Sequence, residues 1–363
     1  MAYTTIDDPQ LYFDTTLYTG NQSTVTLTMD NIGLLWMKRR DDGIRHCLFD
    51  SVRGGHYTGS GSPPLLESNS NAAAQGTDID SAAKGITFGA TQTVIGNDSA
   101  GWSYNRTGHS MVGWQWSTGT SFSNDASATG VGSIDSSGSV STTAGFSIIS
   151  WTGSGSGATI AHGLGAQPQI VFVKNRDDTA SWNVYTVIGG GGKGLFLNEN
   201  NGFDSDTSYF NNGTASTTTF PVGTANTANG SSDNMIAYCF ANVKGYSKIG
   251  SFVGNNSSNG TFVYLGFRPA WVMIKRTDST GATHDWFIFD NKRNTGNPND
   301  DYLEANETST ETTSGRNVID FLSNGFKCRQ AYDDFNASGS TQIYMAFAEA
   351  PFVNSNGVPT TAA

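Results

Sequence analysis

One phrase is written three times along the chain. It runs LWMKRRDDGIRHCLFDSVR from Leu35, VFVKNRDDTASWNVYT from Val171 and VMIKRTDSTGATHDWFIFDNKR from Val272. Each copy sets an apolar run against a lysine (Lys38, Lys174 or Lys275), crosses a polar stretch and reaches an apolar or aromatic run: HCLFD at 46–50, WNVYT at 182–186, WFIFD at 286–290. Upstream, YTGN, WTGS and FVGN place a glycine 18, 21 and 21 residues before the lysine. GAQP (165–168) and GFRP (266–269) place a proline six residues before it; the first copy lacks that proline, so its turn must differ. Each copy closes on a further run: MVGWQW (111–116), MIAYCF (235–240) or IYMAF (343–347). Periods of about 100 to 136 residues exceed the 20 to 50 of solenoid repeats, so each copy is expected to be a whole domain.

The runs alternate with period 2. In WFIFD, Trp286, Ile288 and Asp290 fall on one face of a strand, and Phe287 and Phe289 on the other. Both faces are apolar in places, as expected where one face meets a second sheet and the other a neighbouring domain or subunit. Forty-four glycines, nine prolines and only 14% charged residues favour strands joined by turns over helices. The expectation is an all-β chain of three tandem related antiparallel β-sandwich domains, jelly-roll-like, at 12–119, 146–241 and 246–351. Residues 1–11 form an N-terminal arm and 352–363 a C-terminal tail. The Ser/Gly/Thr-rich stretch 120–145 reads as a flexible linker or as an extended arm pinned on a neighbour. The four-residue link NVKG (242–245) should make the last two domains a rigid pair. Only 317–326 offers a possible helical turn.

Charge and motif exclude several functions. A net charge of −11 opposes nucleic-acid binding, which needs clustered Lys and Arg. No signal sequence and no membrane-length apolar run is present, so a soluble protein without membrane insertion is expected. Cys47, Cys239 and Cys328 are far apart and odd in number, which reads as buried reduced thiols. GGGGKG (189–194) lacks the Ser or Thr that must follow the lysine of a phosphate loop. Asp204–Asp206 and Asn299–Asp301 lack the calcium-loop pattern and read as solvated turns. His46, His56, His109, His162 and His284 show no zinc spacing. No nucleophile is marked, and the 31 acids single out no glycosidase pair. No catalytic residue, metal or cofactor is expected. Trp114 and Trp116 share a face that carries Tyr238 and Phe240 in the second copy, which reads as core. Trp102 and Tyr104 have no counterpart phrase and are candidates for surface recognition, as are His56 and Tyr57, which open the stretch HYTGSGSPPLLESNSNAAAQG (56–76) peculiar to the first copy.

The opening AYTTIDDPQLYFDTTLYTGN, the phrase VMIKRTD…WFIFDNKR and the closings MIAYCFANVKGYSKIGSFVGN and IYMAFAEAPFV resemble a family of tailed-bacteriophage virion proteins. These are frequent in cyanophages and other aquatic phages and usually labelled tail fibre or structural protein. The resemblance spans nearly the whole chain. It implies a virion component without enzymatic activity, assembled in the host cytoplasm, and carries over no binding residues. The leading expectation is a tail fibre or receptor-binding appendage, homotrimeric, with other virion proteins and a host cell-surface glycan as partners. Capsid decoration and a tail-associated glycan-cleaving enzyme are the alternatives.

Overall fold

The computed structural model describes residues 3–59, 63–98, 101–278, 284–313 and 318–360. The chain is all-β, with 42% of residues in strands and 6% in helices. Each copy of the phrase builds the same four-stranded antiparallel unit. In the first, the strand order is Phe13–Thr19, Ser110–Ser117, Ile32–Arg39, His46–Asp50. In the second it is Phe146–Thr152, Asn234–Ala241, Pro168–Asn175, Asn183–Thr186. In the third it is Ser247–Val253, Thr341–Pro351, Phe267–Arg276, Phe287–Asp290. Register agrees as well as order: Lys38 lies opposite Val112, Lys174 opposite Ile236 and Lys275 opposite Ile343. Every lysine strand shifts register near its start, at Ile32/Leu34, Pro168/Ile170 and Arg268/Pro269. The first copy achieves this without proline. Its Gly33 lies where a Cβ would stand 1.9 Å from the Thr118 side chain, so only glycine fits.

Each main sheet packs on one face against a small sheet of its own lobe. That partner is Val25–Leu27 with Thr93–Ile95 and Ile86–Phe88, then Ala158–Ala161 with Thr219–Val222, then Phe262–Tyr264 with Gly325–Cys328 and Ile319–Leu322. Local cores fill these sandwiches. The opposite faces of all three main sheets meet in one shared core that includes Trp36, Trp116, Phe172, Phe240, Trp271 and Phe347. There Trp116 stands edge-on to Trp271 at 5.7 Å, and Phe240 lies 6.1 Å from Trp116 and 5.9 Å from Phe347. An apolar void of about 10 Å³ remains among them, without a polar partner to hold a water. Apolar residues on both strand faces are thus accounted for inside one chain: one face meets the lobe's own small sheet, the other meets the neighbouring lobes.

The segment 120–145 is neither a flexible linker nor an arm on another molecule. Thr120–Asn124 and Ser136–Ser141 add two strands to one edge of the second main sheet, which with Leu195–Phe196 at the other edge has seven, and Val140 enters its local core. The stretch 317–326, where described, is a hairpin of Ile319–Leu322 and Gly325–Cys328 rather than a helical turn, because its alternating apolar residues face the third lobe's core. The N-terminal arm is docked: Ile6 is buried in the shared core, and Tyr3 donates to the Gly266 carbonyl at 2.9 Å.

Candidate functional site

The first lobe gathers three of the four candidate recognition residues around the turn at Asp78 and Ile79. Tyr57 gives its backbone N–H to the Ile79 carbonyl at 2.6 Å, and the Trp102 indole donates to the Asp78 carboxylate at 2.9 Å. His56, Tyr57 and Trp102 are half-buried. The Arg45 guanidinium sits 4.8 Å from the Trp102 ring centre and pairs with Glu67 at 2.8 Å, so the ring is held from two sides. Tyr104 is not a surface residue. It is fully buried against Phe49 at 5.4 Å, and its hydroxyl donates to the Lys84 carbonyl. Strand alternation would have put Tyr104 on the face of Trp102, but Ser103 between them has a φ of 72°, and this left-handed kink turns Tyr104 inward. Of the other motifs, Asp206 caps a short helix at Thr207–Phe210, and Lys193 of the glycine-rich stretch stands 5.8 Å from the Phe203 ring.

The recurring phrase marks a different place, the junctions between lobes. Each lysine is buried and spends its N–H groups on carbonyls. Lys38 donates to Arg39 and Asp42 at 2.8 and 3.3 Å, Lys174 to Asn175 and Ala180 at 2.8 and 2.7 Å, and Lys275 to His284. One further carbonyl comes from another lobe: Thr308 of the third for Lys38 at 3.4 Å, Asn71 of the first for Lys174 at 3.3 Å, Asn200 of the second for Lys275 at 2.8 Å. The same cycle repeats one strand over. His46, Trp182 and Trp286 give a ring N–H to the carbonyls of Glu304, Glu67 and Phe196 at 3.0, 2.9 and 2.9 Å. It repeats again in the backbone, where Glu311, Ala74 and Phe203 donate to Arg40, Arg176 and Thr277, each at 2.8 Å. Each lobe therefore sends a strap (67–74, 196–203 or 304–311) onto one neighbour, and the third lobe closes the ring on the first.

Burial pushes the three ammonium groups down, Lys38 and Lys174 to about 8 and Lys275 to about 7. A lysine so depressed is suited to nucleophilic work in an open cleft. Here the carbonyl caps and burial commit it to structure instead. The thiols are likewise unreactive: all three cysteines are free and buried, and burial pushes Cys328 up to about 12. Burial, reinforced by Asp285, Glu307 and Asp334, pushes Glu304 up to about 7. Among the described residues, no group of three or more His, Cys, Asp or Glu side chains is placed to hold a metal ion.

Two histidines link the fold to pH. Trp36 can only donate, and its indole N–H points at His46 Nδ1 at 2.9 Å, so His46 carries its proton on Nε2, facing Glu304. His162 accepts the Leu164 N–H on Nδ1 at 3.1 Å and faces the Ser216 carbonyl through Nε2. Burial lowers both, His162 to about 4. With folded pKa values below the unfolded one, their stability contribution is present above pH 6.5 and is lost as pH falls toward 4. For His162 alone this is on the order of 2–3 kcal/mol. Glu304 works in the opposite direction, so the informative comparison is between variant and parent. His162→Gln should flatten the loss of urea stability between pH 6.5 and 4; a variant falling as steeply as the parent would contradict the assignment.

The straps escaped the sequence reading. Their faint signal is Glu or Phe, then Asn two residues on: Glu67 and Asn69, Phe196 and Asn198, Glu304 and Asn306. The three asparagine side chains accept the N–H of His46, Trp182 and Trp286, each at 2.8 Å, which sets the strap on its own lobe. The stretch 56–76 is thus not wholly peculiar to the first copy, since it contains the start of that copy's strap. Residues 8–351 match the model of a family described as a domain of unknown function (DUF7483). No curated protein and no solved structure matches the chain.

Proposed function

We propose that this chain, which belongs to the DUF7483 family across residues 8–351, is a non-enzymatic structural protein of a bacteriophage particle, placed at its surface as an attachment appendage. The observation that carries the reading is the closed ring: three lobes, one core and three straps make a rigid support for the loops that join its strands. Rigid β scaffolds of this kind position surface loops for recognition. The sequence resemblance to tailed-phage virion proteins supports the same reading. A homotrimer belongs to the expectation of an attachment appendage, and strands apolar on both faces also allow a neighbouring subunit. Three lobes in one chain use those faces internally, so the proposal does not require one.

The test is binding of purified protein to host cells and to particles lacking it. Saturable binding to cells without release of oligosaccharide is the expected result. Binding to heads alone would replace attachment by capsid decoration. Released oligosaccharide, abolished by a single Asp or Glu substitution, would overturn both.

A further inference from the structure

The third lobe carries a strip of aromatic rings and lysines on the outside of its small sheet. Phe262 and Tyr264 alternate with buried Val263 on the strand Phe262–Tyr264 and are 45% and 50% exposed. Among the described residues no other aromatic ring is as exposed as these two, so their place on one strand face calls for an explanation. Tyr3, from the docked N-terminal arm, continues the row: its hydroxyl lies 3.3 Å from that of Tyr264. Three lysines are interleaved. Lys244 stands 4.5 Å from the Tyr3 ring centre and Lys248 5.5 Å from that of Tyr264. Lys327 is paired across the sheet with Phe262 and reaches Asn259 at 2.6 Å. None of the three is in a recorded ion pair with a carboxylate among the described residues.

We propose that this strip is a binding site for an acidic polysaccharide, its sugar rings lying on Tyr264 and Phe262 and its acid groups meeting Lys244, Lys248 and Lys327. The proposal rests on the attachment reading and names the ligand class and the place. Charge decides among occupants. A row of unpaired cations on a protein of net charge −11 is a local exception that selects an anion. Flat aromatic faces select a ligand with flat apolar faces of its own. Single-stranded nucleic acid also stacks and carries charge, but its binding draws on a groove lined by clustered Lys and Arg, which three lysines on a protein of net charge −11 do not supply.

The experiment is titration of the full chain with polygalacturonate oligosaccharides, with neutral malto-oligosaccharides and oligo-dT as comparisons. Tyr264→Ala and Phe262→Ala should each weaken polygalacturonate binding at least about tenfold. The exposure of both rings means that each variant should keep the parent's thermal midpoint. Lys248→Gln combined with Lys327→Gln should weaken it further and reduce its salt dependence. No binding of polygalacturonate, equal binding of the neutral sugar, tighter binding of oligo-dT, or variants that bind like the parent would each overturn the proposal. Testing the Phe262→Ala/Tyr264→Ala protein on host cells separates the two levels. If parent and variant bind cells equally, the strip fails and attachment stands. If the parent binds no cells, attachment fails, and the polygalacturonate titration alone decides the strip.

Discussion

Phe240→Ala is expected to lower the stability of the entire chain by about 3–5 kcal/mol, the range for truncating a buried aromatic. Phe240 is 2% exposed and lies where the lobes meet. It stacks on Phe146 at 4.6 Å and lies 6.0 Å from Phe172 within its own lobe, then 6.1 Å from Trp116 and 5.9 Å from Phe347 in the other two. Were the lobes independent sandwiches, the loss would fall on the second alone, and denaturation would split into two transitions with one displaced. With a shared core, the urea curve should shift as a single transition. A loss below about 1 kcal/mol would mean that the ring of Phe240 is not packed as described, and a split transition would mean that the shared core does not couple the lobes.

Much of the strand framework was legible because its signal is local. The recurring phrases fall on the four strands of each unit, and period-2 runs such as WFIFD specify a strand buried on both faces without any reference to partners. What covers each face is not local. Ile148 and Ile149 are both fully buried and look alike in sequence, yet the first belongs to the shared core and the second to the local one. A periodic run says that a face is covered and is silent on whether a second sheet, a neighbouring lobe or another molecule covers it. The same limit hid the role of 120–145, whose Ser, Gly and Thr suit both a linker and an edge strand. The deciding residue is Val140, whose strand partner Ser147 lies seven positions on and which shares the local core with Ile149, a pairing that composition does not reveal. At the candidate recognition site, the failure was a single dihedral angle. Trp102 and Tyr104 were alike in lacking a counterpart phrase, and the left-handed Ser103 between them, which no sequence pattern announces, turns Tyr104 into the core.

Asp50→Ala is expected to cost about 3–5 kcal/mol, because it leaves the Arg53 guanidinium buried without its counter-charge. Both side chains are fully buried, with Asp50 Oδ2 2.5 Å from Arg53 Nε. Tyr238 of the second lobe donates to the same carboxylate at 2.8 Å, so the pair belongs to the junction as well as to the first lobe. The third lobe repeats the arrangement: Asp290 pairs with Arg293 at 2.5 Å and accepts the indole N–H of Trp114, from the first lobe, at 2.9 Å. The second lobe does not. It carries Thr186 at the place of the aspartate, its hydroxyl accepting the Gly189 N–H at 2.9 Å, and the third lobe's position equivalent to Trp114 and Tyr238 is Met345, which has no proton to donate. Carboxylate, arginine and donor are thus present together or absent together. That pattern is what desolvation demands, since a buried charge is tolerated only with its full set of partners. It also shows that a junction can close without this ion pair. Replacing the whole set, Asp50→Ala with Arg53→Met and Tyr238→Phe, should therefore restore more than half of the stability lost by Asp50→Ala alone in urea denaturation. A triple variant as unstable as the single one would mean that the ion pair is itself what joins the first lobe to the second.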